Sequence, residues 1–147
     1  GERIADLFCG LGNFTLPIAR SGAQVLGVEG LPNLVNRAKQ NAVVNDCQGY
    51  VDFRVADLFK VNPSALDDWC NVDKVLLDPP RAGAHAVIEM LTQARRLQRI
   101  VYVSCNPATF VRDAALLVGK GYRFKLLGVM NLFSQTAHVE LIGCFDR

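Results

Sequence analysis

The sequence predicts an α/β fold: an open, mostly parallel sheet with helices on both faces, closing on an antiparallel C-terminal strand pair. Short apolar runs alternate with segments of helical period, the pattern of βα units around a parallel sheet. Several runs, such as Ile100-Val101-Tyr102-Val103, are apolar throughout, as strands buried on both faces should be. Near the end the alternation changes. Two period-two runs, one with Tyr122, Phe124 and Leu126 and one with Val139, Leu141, Gly143 and Phe145, follow each other without a helix between them.

Taken in order, Ile4–Phe8 reads as a strand, Asn13–Ser21 as a helix and Gln24–Glu29 as a strand. Asn33–Asn45 is a helix with Leu34, Ala38 and Ala42 on one face. Val51, Phe53 and Val55 alternate as a strand, Pro63–Trp69 is a short helix, and Val72–Asp78 is a strand with an apolar centre. Ala84–Ala94 is a helix, Arg99–Ser104 a strand, and Ala108–Gly119 a helix opened by Pro107. Between the two final strands, Val129–Ala137 reads as a loop carrying Asn131, Ser134 and Gln135. Ligands in such sheets bind at the carboxyl ends of the parallel strands.

The 147 residues fit one domain with one core, and no repeat or linker divides residues 1–147. Opening directly on a core strand suggests a fragment of a longer protein. With 50% hydrophobic and 20% charged residues the chain is globular, and no apolar run approaches the roughly 20 residues of a membrane span. A net charge of +2 neither argues for nucleic acid nor excludes it. There are five cysteines, Cys9, Cys47, Cys70, Cys105 and Cys144, with no CxxC and no Cys/His ligand cluster. No metal site or disulfide framework is expected, and the chain reads as intracellular, in the cytoplasm. Most of these thiols should be small buried hydrophobes.

Chemistry gathers at two places. Between the first strand and the first helix runs Asp6-Leu7-Phe8-Cys9-Gly10-Leu11-Gly12-Asn13, where Gly10 and Gly12 permit a tight turn and a close backbone approach to a ligand. Glu29 ends the second strand about 20 residues on, where a carboxylate holds ribose hydroxyls. Together they indicate a nucleoside cofactor. A dinucleotide fingerprint wants a third glycine where this chain has Thr15, and Asp6 suits a cationic ligand, so S-adenosylmethionine is favoured over NAD. Asp57, after the third strand, is a candidate for the adenine edge.

The second place is Val103-Ser104-Cys105-Asn106-Pro107, a thiol at a strand end and a helix mouth. Helix N-termini favour a thiolate, and a free cysteine with a pKa near 8.5 needs such help. Asp78-Pro79-Pro80-Arg81 closes the neighbouring strand. Arg81 and Asn106 are candidate substrate contacts. A thiolate adding to carbon 6 of a pyrimidine makes carbon 5 nucleophilic toward a methyl donor. A base must then remove the carbon-5 proton. Glu140 is the candidate base, with His138 the rival.

On these residues the chain resembles the catalytic domain of the RNA (uracil-5-)-methyltransferases, closest to the bacterial branch acting on 23S ribosomal RNA. The motifs that carry the resemblance are Asp-Leu-Phe-Cys-Gly-Leu-Gly-Asn-Phe-Thr-Leu-Pro at 6–17, Gly-Val-Glu-Gly at 27–30, Leu-Leu-Asp-Pro-Pro-Arg-Ala-Gly at 76–83, Val-Tyr-Val-Ser-Cys-Asn-Pro-Ala-Thr at 101–109, and His-Val-Glu ending at 140. The resemblance implies a Rossmann-like class I S-adenosylmethionine-dependent methyltransferase fold. It makes Cys105 the nucleophile and Glu140 the base, and it puts cofactor contacts on Phe8, Asn13, Glu29, Asp57 and Asp78. It also implies an upstream RNA-binding β-barrel domain and, in many members, an iron–sulfur cluster, both outside this chain. The family often has Phe-Pro-His-Thr where this chain has Phe133-Ser134-Gln135-Thr136.

The partner expected is therefore structured RNA, with 23S ribosomal RNA foremost, for a protein expected as a monomer. Cytosine-C5 methylation uses the same addition logic but pairs the thiol with a second cysteine near Asp78, and this chain has Arg81 there instead. A cofactor-binding module inactive as a fragment is the reading from another class. Arg95, Arg96 and Arg99 read as a solvated helix end sooner than as a phosphate-binding cluster.

Overall fold

β1 (Arg3–Leu7) sets the centre of the fold. Ala5 and Leu7 point into one apolar cluster and Ile4 packs on another, so the strand is covered on both faces. It pairs in parallel with β2 (Gln24–Glu29) on one side and, further along the chain, with β4 (Lys74–Leu77) on the other. β3 (Val51–Val55) extends the sheet beyond β2, and β5 (Arg99–Ser104) extends it beyond β4, both in parallel. The structure is a computed structural model that describes residues 1–61, 69, 71–131, 135–136 and 138–147. Apart from Trp69, the helix expected at Pro63–Trp69 lies outside the described residues, as do 132–134 and 137 of the loop expected at Val129–Ala137.

The chain ends on β6 (Arg123–Met130) and β7 (Glu140–Asp146). β7 inserts between β5 and β6 and is antiparallel to both, giving a seven-stranded sheet of order β3-β2-β1-β4-β5-β7-β6. The expected mostly parallel α/β sheet with an antiparallel terminal pair is the observed one, with β6 at the outer edge. β6 also runs into the stretch expected as loop, because Val129 and Met130 pair with Leu141 and Glu140. An irregularity between Phe124 and Leu126 puts a kink beside Lys125, which blunts the free edge.

Helices α1 (Thr15–Arg20) and α2 (Pro32–Val44) cover one face, where Ala19, Val35, Ala38 and Ala42 meet Val25 and Phe53. The buried stripe of α2 is Val35, Ala38 and Ala42, with Leu34 only half-buried, a rotation of one residue from the expected face. Gly27 of β2 lies against the Phe53 ring, and a Cβ there would stand 2.6 Å from it. Helices α3 (His85–Leu91) and α4 (Pro107–Gly119) belong to the other cluster, with Ile88, Leu91, Phe110 and Leu117 against Leu7, Leu77, Ile100, Tyr102 and Phe145. Each fully buried aliphatic or aromatic side chain here contributes about 1.5–3 kcal/mol. α3 stops at Leu91, short of the expected Ala94, because Gln93 and Ala94 donate to the carbonyls three residues back and wind the end into a tighter turn.

Candidate active site

The turn after β1 is held in an unusual backbone conformation. Phe8, Gly10 and Gly12 have φ of 65°, 54° and 86°. For Phe8, which is not glycine, such a conformation costs about 1–3 kcal/mol and persists only where the surroundings enforce it. Glu29 provides part of that enforcement. Its Oε2 accepts from the Gly10 N–H at 3.1 Å and its Oε1 from the Leu31 N–H at 3.1 Å, so one carboxylate ties the β1 and β2 loops together. Each oxygen keeps a lone pair for a hydroxyl donor. After β3, the Asp57 Oδ1 accepts from the Phe59 N–H at 2.9 Å, and the Phe59 ring stands 5.6 Å from that of Phe8.

These loops and the end of β4 enclose a cavity of about 680 Å³, lined by Phe8, Glu29, Leu31, Asp57, Phe59 and Asp78 together with Gly30, Leu58, Pro79 and Pro80. That volume is in the range of small-molecule cofactor sites. The donor set fits a nucleoside bearing a positive charge: a carboxylate for ribose, aromatic and aliphatic surface for a base, and Asp78 for a cation. Leu31, Leu58 and Phe59 were missed in the sequence. The Asp-x-Phe spacing of an Asx turn after a strand was the signal for Phe59.

Asp6 does not line this cavity. It was expected to face the ligand, but its side chain is fully buried, with Oδ2 accepting from the Thr15 hydroxyl at 2.5 Å and Oδ1 without a partner among the described residues. Burial pushes its pKa up to about 7, against the pull of the Thr15 hydrogen bond, and nearby Asp78 adds to the rise. Asn13 with Gly12 lines a separate groove between α1 and α2, of about 260 Å³. Gly10 acts through its N–H on Glu29. Cys9 is a core thiol: burial, with Asp6 and Glu29 adding, pushes it up to about 12.

Asp78 is half-buried and carries its pKa up to about 6, chiefly through burial and then through the charge of Glu140. Asp78 and Glu140 are thus electrostatic neighbours although they stand far apart in the sequence. The sheet explains it. Leu77 and Leu141 both face the core shared with α4, so the next residue toward the cleft from each strand turns to the opposite face. Because β7 runs antiparallel to β5, its first residues lie at the end of β5. Ser104 pairs with Leu141, which sets Glu140 level with Cys105.

Cys105 is half-buried at the mouth of α4. Ser104 and Asn106 lock the turn around it: the Ser104 Oγ accepts from the Asn106 N–H at 3.1 Å and donates to the Asn106 carbonyl at 3.0 Å. Asn106 is the N-cap, its Oδ1 accepting from the Ala108 N–H at 3.1 Å. Its Nδ2 donates to the Arg81 carbonyl at 3.0 Å. Both ends of the amide are engaged inside the protein, one N–H to the Arg81 carbonyl and the oxygen to the Ala108 N–H, so the side chain ties the Arg81 loop to the start of α4. Arg81 is exposed beside the cleft. His138 is exposed, with its N–H donating to the Thr136 hydroxyl at 3.4 Å.

A family model described as tRNA (Uracil-5-)-methyltransferase matches residues 1–145. The chain belongs to this family. Among its relatives, the 23S rRNA (uracil(1939)-C(5))-methyltransferase RlmD of Neisseria lactamica is 54% identical over 99% of this chain and 32% of its own length. RlmD of Aromatoleum aromaticum is 55% identical over 100% of this chain and 34% of its own length. The chain therefore spans about a third of the length of the curated relatives it matches. Among solved structures, the tRNA (uracil-54, C5)-methyltransferase of Pyrococcus abyssi, in complex with S-adenosyl-L-homocysteine, superposes with a TM-score of 0.85 at 34% identity, covering 99% of this chain and 34% of that one. Its agreement over the whole chain shows that the Rossmann-like methyltransferase fold is shared by this uracil-5-methyltransferase domain.

Proposed function

We propose that residues 1–147 form the catalytic domain of an RNA uridine C5-methyltransferase that uses S-adenosylmethionine and acts in the cytoplasm on 23S ribosomal RNA. The observation that carries the reading is the insertion of β7 beside β5, which sets Glu140 level with the only thiol at a cleft-facing strand end among the described residues. The 23S rRNA (uracil(1939)-C(5))-methyltransferase relatives, at 54% and 55% identity, support the ribosomal target. Glu29 would hold the ribose of the cofactor, Phe8, Leu31 and Phe59 its base, and Asp57 the edge of that base. Asp78 would face its charged end. When bound, S-adenosylmethionine would supply an electrophilic methyl group.

The protein's own part is to prepare carbon 5 and then to restore the ring. The target uridine is unstacked to reach the cleft. The Cys105 Sγ adds to carbon 6, and the electrons of the 5,6 double bond move to the carbon-4 oxygen, leaving carbon 5 nucleophilic. Once carbon 5 carries the methyl group, the Glu140 carboxylate removes its remaining proton. The double bond re-forms and the Cys105 thiolate leaves. The prolines of the Asp78 loop keep that wall of the cleft stiff.

The test uses the full-length enzyme with S-adenosylmethionine and a 23S ribosomal RNA fragment containing 5-fluorouridine. Fluorine cannot leave as a proton does, so a covalent protein–RNA complex should persist on a denaturing gel. Its absence with the wild type, or its formation by Cys105→Ala, refutes the reading.

A further inference from the structure

Behind the cleft lies a buried carboxylate that the chemistry above does not use. Asp113, on the second turn of α4, is fully buried. Its Oδ2 accepts from the Ala84 N–H at 2.8 Å and from the Tyr102 hydroxyl at 2.7 Å. Its Oδ1 accepts from the Arg112 guanidinium at 2.9 Å, and Arg112 Nη2 also donates to the Ala82 carbonyl at 3.0 Å. One turn earlier, the Thr109 hydroxyl joins Asn106 on the Arg81 carbonyl, at 3.0 Å. Gly83 completes the fit. Its φ is 80°, and a Cβ there would stand 2.6 Å from both Arg112 Nη2 and Asp113 Oδ2. The loop 80–84 is closed on itself by the Gly83 N–H to the Pro80 carbonyl at 2.9 Å, and every other backbone bond named here runs to the helix that starts behind Cys105.

We propose that Asp113, through Arg112, Tyr102 and the Ala84 N–H, is a positioning residue that fixes the Arg81 loop against the Cys105 turn, so that substrate contact and nucleophile keep one spacing. Three features separate this role from general core stability. The carboxyl group is buried, and its partners lie on the Arg81 loop, on β5 and on α4 itself, not across the sheet. Its acceptor sites meet an N–H, a hydroxyl and a guanidinium, so it is a satisfied hub whose loss frees all three at once. None of its hydrogen-bond partners lines the cofactor cavity, so cofactor binding and RNA adduct formation should respond differently.

The inference rests on the proposed thiol chemistry, and the test keeps the two apart. In the full-length enzyme, Asp113→Asn keeps the shape but cannot satisfy all three donors. Arg112→Gln alters a side chain that is 46% exposed and so spares the core. Both variants should bind S-adenosylhomocysteine within threefold of wild type by calorimetry. Both should form the 5-fluorouridine adduct at least tenfold more slowly, Asp113→Asn more so. Hydrogen exchange should rise at residues 82–84 and at 105–106 together, and stay unchanged at residues 8–12. Equal adduct rates, an equal loss of cofactor affinity, or faster exchange at 82–84 without 105–106 would each overturn the proposal. A wild type that forms no adduct would instead refute the thiol reading, and the exchange pattern would then decide the positioning role alone.

Discussion

Cofactor affinity should fall in acid through a group that can be named. Asp78 lines the cavity with its pKa raised to about 6, by burial first and by Glu140 second. A charged ligand group binds the ionised carboxylate, so below that pKa each binding event must first release a proton. The cost is about 1.4 kcal/mol, a factor of ten, for each further pH unit. Affinity for S-adenosylmethionine should therefore be level from pH 7 to 8, bend near pH 6, and be about tenfold weaker at pH 5. Glu140→Gln removes the like charge that adds to the rise, so the bend should move to lower pH while the plateau stays. Calorimetry on the full-length enzyme at half-unit steps from pH 5 to 8 measures both curves. A flat profile, or a bend that moves to higher pH in Glu140→Gln, would refute the assignment of Asp78 and its coupling to Glu140.

The other expectations concern the buried frame of the site. Asp6 is raised from 3.8 to about 7, so the folded state holds its proton more tightly than the unfolded chain; its stabilising contribution is full below about 4 and is lost as pH rises through about 7. Asp6→Asn should accordingly be the more stable protein at pH 8 and show a flatter profile between pH 5 and 8, measured by hydrogen exchange in β1. The gain is at most on the order of 4 kcal/mol, less about 1–3 kcal/mol for an unpaired buried amide. Gly27→Ala forces a methyl group onto the Phe53 ring and should cost about 1–3 kcal/mol, read as a lower Tm. Cys9, buried and pushed up to about 12, should resist alkylation at pH 7 in the folded enzyme while Cys105 is modified, as peptide mass spectrometry would record.

Strand positions were legible because their signal is local. β2 and β5 match the sequence reading end for end, since a continuous apolar run has few alternative registers. Cleft residues at strand ends, Glu29, Asp57 and Asp78, were legible for the same reason, a parallel sheet presenting that edge by construction, while Phe8 came only from the family resemblance. What the sequence concealed depends on partners distant in the chain. Asp6 stands in the cofactor motif, yet its burial is decided by Thr15 and the packing around it. Asn106 follows Cys105, yet its amide is tied to the Arg81 carbonyl and to the first turn of α4. Asp113 was not singled out in the sequence, because only the tertiary fold brings Ala84 and Tyr102 to it.

The lateral order of the sheet sorts the chemistry. From one edge inward, the strand ends offer Asp57, Glu29, Phe8, Asp78, Cys105 and Glu140, in the order β3-β2-β1-β4-β5-β7. Neighbouring strands lie about 4.8 Å apart, so Asp78 and Glu140 are separated by about 10 Å of backbone, with the thiol between them. In the proposed mechanism, a flat ring whose carbon 6 is held at Cys105 would have the methyl-donor side toward β4 and the base side toward β7. Carbon 5 must gain a group from one side and lose a proton to the other, so that division is what the reaction requires. A parallel last strand would carry Glu140 to the opposite end of the sheet. On the proposed mechanism, the antiparallel insertion of β7 is therefore the topological feature on which turnover would depend, because it brings Glu140 level with Cys105.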